Sequence, residues 1–380
     1  MTHPLRSPRL AAVYLLVAAG CGILLANSPA AEAAFTVQHL EFGIPNTPFL
    51  LEAGEWIADG LLAIFFFTVA VELQFELTSG QLRSARNALL PAIAAVGGVL
   101  MPIAVYLMVA APAGLARGWP VPTATDIAFA LGVLAVVGRG LPPRLRVFLL
   151  ALAILDDIVG IVFIAVLFAR DVDFGMLLLA LVLVVVFAAL SRMLGGRAGR
   201  TVVGIMIVVA IGAWAAMLAS GVHATIAGVL LGLAVSQRPG MRATHVLEPW
   251  VNGLVLPLFA LSAALVAIPQ AGSLSPVFWA IVVALPVGKL VGIAGTAALA
   301  QRLLRVRDDD RIRFPDLLAA GALGGIGFTV SLLLADLAFA GLPALRDQAV
   351  LGVLCGSLVA LAGSVFVVSW RARVHRRQTA

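Results

Sequence analysis

The sequence predicts an all-α polytopic membrane protein of about twelve transmembrane helices, and three observations predict it. Of the 380 residues, 62% are hydrophobic and only 12% are charged, whereas soluble domains run near 45–50% apolar and about 25% charged. The mean hydropathy is +1.09. The apolar residues gather into continuous runs of spanning length rather than alternating, which favours helices over a barrel. The basic residues are almost all arginine, with Lys289 the sole lysine, and they fall on alternate loops. A soluble enzyme, a disordered chain and a secreted disulfide scaffold are excluded by the same arithmetic, and the expectation is a protein that is not an enzyme.

The runs lie at roughly 10–27, 56–77, 88–110, 122–137, 145–169, 175–193, 201–219, 222–236, 246–268, 276–301, 315–335 and 347–370. The fourth and eighth are short; the fourth and eleventh carry polar or glycine-rich interruptions. Arg6 and Arg9 before an apolar stretch, with Cys21 and Ser28 beyond it, resemble a signal sequence. The stretch is longer than an ordinary signal core, so it reads as a retained first span. Between the first two runs, Val37, Leu40 and Phe42 with Gly43, Pro45 and Asn46 suggest a small extracytoplasmic β-hairpin within 36–49. Its edge is a candidate pairing surface for a second protomer.

Of the 24 arginines, 21 fall in the loops that face one side if both termini are cytoplasmic. Arg117, Arg170 and Arg346 fall opposite, and the first outer loop carries Glu32, Glu41, Glu52 and Glu55 instead. The positive-inside rule predicts this asymmetry, and a missed helix would invert it downstream. The net charge of +6 therefore serves anionic lipid headgroups and not nucleic acid. Cys21 and Cys355 read as small packing residues.

Charges at membrane depth cost several kcal/mol and are functional candidates. Four residues qualify: Asp126 in a Pro-Thr-Ala-Thr-Asp segment, the neighbours Asp156 and Asp157, and Lys289 after Pro286 and Gly288. Neighbouring acids point about 100° apart on a helix, so one can face an ion path and the other a protein partner. A hard cation such as Na⁺ or Li⁺ takes oxygen ligands. Two close carboxylates repel when both are ionised, so the same group can hold a proton or a cation. The interruptions at Val121–Asp126 and at Gly324, Gly325 and Gly327 would be tolerated only where they line a cavity or are buried in protein. Half-helices meeting there expose opposite partial charges, which Asp126 would neutralise at the positive ends and Lys289 at the negative.

At these residues the sequence resembles the NhaA family of bacterial sodium/proton antiporters. The matching segments are TATDIAFALGVLA (123–135), ALAILDDI (151–158), SGVHATIAGV (220–229), LPLFA (256–260), GK (288–289) and GIGFT (325–329), in the family's order. The resemblance implies twelve helices in inverted-topology repeats, with the fourth and eleventh unwound and crossing. It implies interface helices at roughly 10–77 and 222–268, an ion-binding core at roughly 88–169 and 276–370, and linking helices at roughly 175–219. It also implies exchange of one Na⁺ or Li⁺ for two protons across the bacterial inner membrane, in pH and sodium homeostasis. A homodimer joined by the hairpin is implied too, with no cofactor beyond the transported ions.

Residue by residue, the resemblance makes Asp157 the principal cation ligand, with Asp156 its partner acid. Asp126 and Thr125 match the unwound segment, and Lys289 matches the charge-compensating lysine. Glu72 and His223 match pH-response positions. Gln74 and Phe75 stand where the best-known pattern has two basic residues, and Thr244 replaces an acid, with Glu248 a turn later. The ion site is intact and the cytoplasmic funnel altered, so the pH profile is expected to be shifted or flattened. Lysine, unlike arginine, can give up its proton, so a Lys289–Asp156 pair that opens on cation binding would contribute one of the exchanged protons. An intramembrane aspartyl protease would need its acids in Tyr-Asp and Gly-x-Gly-Asp contexts, which are absent. A cation channel suits the paired acids and single lysine less well. A K⁺/H⁺ exchanger or a sodium-coupled solute carrier stands nearer.

Overall fold

The computed structural model describes residues 8–45, 47–169, 171–194, 199–268, 274–306 and 311–379. Arg6, Asn46, Arg170, Arg197 and Arg307, which entered the readings above, lie outside them. In chain order the helices are α1 (Pro8–Ala26), α2 (Ala31–Gln38), α3 (Ala53–Thr78), α4 (Ala85–Ala110), α5 (Ile127–Val137), α6 (Pro143–Leu167), α7 (Phe174–Arg192), α8 (Gly199–Ala219), α9 (Thr225–Ala234), α10 (Gln237–Ala263), α11 (Pro276–Leu303), α12 (Phe314–Gly324), α13 (Phe328–Ala338) and α14 (Pro343–Thr379). Each of the twelve apolar runs becomes helix. Among the described residues, eight helices are long and apolar enough to cross a membrane, or ten if each bent pair, α1 with α2 and α12 with α13, is one span. The other two runs give α5, of 11 residues, and α9, of 10 residues, each about half the length that a membrane needs.

The hairpin is shifted from its expected place. Thr36–Gln38 close α2, because Ala31, Ala33 and Ala34 favour helix. The strands are β1 (Glu41–Phe42) and β2 (Leu51–Glu52), antiparallel with Glu41 opposite Glu52. Gly43 makes the turn possible at φ +138°. The Trp56 indole donates to the Phe42 carbonyl at 3.0 Å.

The chain folds as two compact units. One holds Tyr14–Gly80 and Ile161–Leu265; the other holds Ser7–Val13, Gln81–Gly160 and Val266–Ala380. In the first, α9 lies directly against α3 because Gly228 and Gly232 have no side chains. A Cβ there would stand 2.1 Å from the Ala63 carbonyl oxygen and 2.5 Å from that of Phe67. Val71, Phe187, Met206 and Leu231 form the apolar core of this unit.

In the second unit, α4 and α11 approach in the same way: a Cβ on Gly292 would stand 2.2 Å from the Gly97 carbonyl oxygen. Residues Ala284–Gly288 of α11 form a π-turn around Pro286. Proline lacks the N–H that the regular ladder needs, so the turn widens. Lys289 follows at once. The other interrupted span bends by 50° between α12 and α13.

Candidate ion-binding site

The site lies in the second unit and is built from the two interruptions. Before α5 the chain makes a tight turn over Val121–Thr123 and then runs extended at Ala124 and Asp126. Extended backbone leaves peptide groups without helical partners, and the break between α12 and α13 supplies them. The Asp126 amide donates to the Ile326 carbonyl at 2.6 Å, and the Thr125 hydroxyl donates to the Gly324 carbonyl at 2.8 Å. Glycines at the break permit this closeness. A Cβ on Gly327 would meet the Ser331 hydroxyl at 2.4 Å and the Ala124 carbonyl oxygen at 3.1 Å.

Asp126 caps two helices with one carboxylate. Its Oδ1 accepts from the Phe129 amide of α5 at 3.2 Å. Its Oδ2 accepts from the Thr329 amide of α13 at 3.2 Å and from the Thr329 hydroxyl at 2.8 Å. Both N-terminal ends carry partial positive charge, so the carboxylate sits where Asp126 was expected. Thr329 was missed, although its signal was present: a hydroxyl residue two places after the glycine break.

Lys289 goes elsewhere than one of its expected positions. Its ammonium donates to Asp156 Oδ2 at 2.5 Å and not to the carbonyl end of α12. A wholly buried ammonium needs a full countercharge, and a helix end offers about half of one. Lys289 is 0% exposed and Asp156 2%. Asp156 Oδ1, also buried, accepts no hydrogen bond. Asp157 is 8% exposed and also acts electrostatically on Lys289, while Thr125 borders the Asp156 carboxylate. The Asp126 carboxylate is engaged by its two helix caps, and among the described residues no three His, Cys, Asp or Glu side chains form a group that could hold a metal ion. Gly98 leaves room for Ile293, one turn beyond Lys289, since a Cβ there would lie 2.8 Å from Ile293 Cγ1.

The expected pH-response residues fall in the first unit, in two places. Glu72, with Glu76, faces Glu248 electrostatically, and His245 approaches Glu248 at 4.0 Å. Gln74 donates to the carbonyls of Leu233 and Val235 at 2.6 and 2.9 Å, closing the end of α9 with a neutral amide. Thr244 is buried on α10. His223 instead pairs with Asp59 at 3.1 Å, and the Trp214 indole donates to the Asp59 carbonyl at 2.8 Å. Asp59 and Glu72 are thirteen residues apart on α3, about 20 Å, so His223 does not share the Glu72 cluster. Asp59 and Glu76 were both missed; each was legible as an acid within or at the end of an apolar run.

By architecture this is a polytopic helical membrane protein whose buried charges meet at two interrupted helices, the hallmark of ion-coupled transporters. Residues 2–368 match the family described as Na⁺/H⁺ antiporter 1, and the chain belongs to that family. It is 52% identical to the Na⁺/H⁺ antiporter NhaA 2 of Clavibacter michiganensis, over 99% of this chain and 94% of that one. The NhaA antiporters of Tropheryma whipplei and Streptomyces avermitilis are each 43% identical, over 93% and 95% of this chain and 92% and 79% of theirs.

Proposed function

We propose that the chain exchanges Na⁺ or Li⁺ for protons, two protons per cation, by alternating access at Asp156, Asp157 and Thr125. The observation that carries this reading is the buried Asp156, with one oxygen on Lys289 and the other making no hydrogen bond of regular geometry, beside Thr125 and next to Asp157 on the same helix turn. A cation arriving between the two carboxylates weakens the hold of Asp156 on Lys289. One proton then leaves Asp157 and one leaves Lys289. Two positive charges depart for one that enters, so each turnover moves charge. Asp126 keeps the two helix ends together while this happens.

The second unit serves as the ion-binding core and the first carries the interface, with β1 and β2 joining two copies. Both termini face the cytoplasm of a bacterial inner membrane. Glu72, Glu248 and His223 tune the pH response, and no cofactor takes part beyond the ions carried. The deciding measurement is proton release from everted vesicles on addition of Na⁺, Li⁺ or K⁺. Release with Na⁺ and Li⁺ but not K⁺ is expected. Normal exchange in Asp157→Asn would overturn the site, and a Lys289→Gln variant with unaltered charge movement would remove Lys289 from proton carriage.

A further inference from the structure

Where α11 ends and the chain returns into α12, the second unit encloses a cavity of about 380 Å³ that the exchange chemistry leaves unused. Its volume falls within the range of small-ligand sites, about 300–1,000 Å³. Gly295, Leu299 and Arg302 line it from α11, and Arg311, Phe314 and Leu317 line it from the returning chain. Leu299 and Phe314 are 55% and 52% exposed, so its rim is open.

The chain builds this cavity from an anchored wall and a missing side chain. Gln301 is 2% exposed and holds the returning chain by a two-bond fork. Its Nε2 donates to the Ile312 carbonyl at 3.1 Å, and the Ile312 amide donates to its Oε1 at 2.7 Å. The wall at Arg311 and Ile312 is thereby fixed to α11. The floor is Gly295. Three residues earlier, Gly292 is required for contact with α4, whereas a Cβ on Gly295 would meet nothing within 4 Å. Glycine is unfavourable inside a helix, and close packing does not demand it at 295. What its missing side chain provides there is depth.

The two ends of the cavity differ in chemistry. Arg302 and Arg311, both exposed, stand at one end. Gly295 lies seven residues back along α11, about 10 Å deeper and so within one leaflet, about half of the hydrocarbon core. Residues 302–313 hold five arginines against three aspartates, and those aspartates lie outside the described residues. A guanidinium can give a phosphate two parallel hydrogen bonds. A soluble anion would use the arginines and leave the apolar floor idle; a neutral lipid would use the floor alone. An anionic phospholipid uses both, and the negatively charged cytoplasmic leaflet supplies it.

We infer that this cavity binds one anionic phospholipid, with its phosphate on Arg302 and Arg311 and one acyl chain over Gly295, between Leu299 and Phe314. The inference rests on the topology proposed above, which puts these helix ends at the cytoplasmic leaflet. The site lies wholly within the second unit, whereas the hairpin proposed to join two copies belongs to the first.

The test is native mass spectrometry of the full-length protein in detergent, with phosphatidylglycerol or phosphatidylcholine of identical chains added at limiting amounts. The parent should retain one phosphatidylglycerol in preference to phosphatidylcholine. Arg302→Gln and Arg311→Gln should each cut that preference about fivefold. Gly295→Leu fills the floor and leaves both arginines, and it should lower phosphatidylglycerol retention by a similar factor. Arg192→Gln and Arg200→Gln, at exposed basic positions of the first unit, should leave the preference unchanged. Equal retention of the two lipids by the parent would overturn the site. So would parental behaviour in both second-unit arginine variants or in Gly295→Leu, or an equal loss in the first-unit variants. Excess glycerol phosphate, a headgroup without chains, should not displace the lipid; displacement would make this a site for a soluble anion and overturn the lipid. Retention in detergent depends on neither transport nor orientation. Absence of Na⁺-driven proton release from everted vesicles would therefore overturn the exchange reading and leave this test standing.

Discussion

The two compact units bury polar groups of different kinds. In the first, the buried polar side chains among the described residues are hydroxyls: Thr68, Ser191, Ser220, Thr225, Thr244 and Ser262. In the second they include Asp126, Asp156, Asp157, Lys289, Asp316 and Arg371. A hydroxyl can return its hydrogen bond to its own helix, as Thr68 and Ser220 do, at little cost in any surroundings. A buried charge costs several kcal/mol unless a partner charge or several donors meet it. The second unit supplies those partners from segments far apart in sequence. The difference teaches where to look for ion chemistry in a chain that is apolar throughout: in the unit whose packing is arranged around charge, not in the one whose acids stay near its surface.

The largest test of this contrast is Asp157→Asn against Asp59→Asn. The first should abolish Na⁺-dependent proton release from everted vesicles, and the second should leave it in place; equal losses would erase the distinction between the units. Under the proposed competition of protons and Na⁺ for the same carboxylates, the apparent KM for Na⁺ in the parent should fall as pH rises. Next in size is Lys289→Gln, which strands Asp156 without its countercharge. A loss of ~3–5 kcal/mol is expected, read as a lower unfolding temperature in detergent. Restoration of stability by a second change, Asp156→Asn, would show that the lone charge was the cause.

Close helix packing, by contrast, is common to both units. Gly292→Val and Gly228→Val should each cost ~1–3 kcal/mol, because each side chain would enter a neighbouring backbone. A large loss from one and none from the other would show that the units depend unequally on contact between helices. The smallest effect is expected from His223→Gln. Its pair with Asp59 is partly exposed, so ~0.2–1 kcal/mol is at stake. A displaced pH profile in that variant would extend the response to the far end of α3.

Much of this arrangement was legible in the sequence, for reasons that differ by residue. Asp126, Asp156, Asp157 and Lys289 stand out because charge is so rare in apolar runs, and the glycines at 324, 325 and 327 announce a break by the same contrast. Thr329 did not stand out, since a hydroxyl is unremarkable in a membrane helix and its role depends on Asp126 arriving from 203 residues away. Asp316 and Arg371 were hidden among the charges of the loops and tail, where charge is expected; only folding shows that these two are buried together, with Arg371 Nε donating to Asp316 at 2.9 Å. The hairpin was misplaced by several residues because the helical preference of Ala31–Gln38 weighs against the turn signals that follow it. The pairing of Lys289 was narrowed by folding to Asp156, because a dipole end cannot match a carboxylate.

The double cap at Asp126 also sets an order of events in synthesis. Chains grow at about 5–20 residues per second, so the 203 residues between Asp126 and Thr329 take ~10–40 s to make. For that interval Asp126 exists without Thr329, and one oxygen of its carboxylate lacks the donors it will later hold. Lys289 reaches Asp156 sooner, after 133 residues. The nascent chain therefore needs water, lipid headgroups or the insertion machinery to attend Asp126 longest, and a ribosome stalled between these two points would leave a membrane protein with its lysine pair closed and the Asp126 cap on α13 still open.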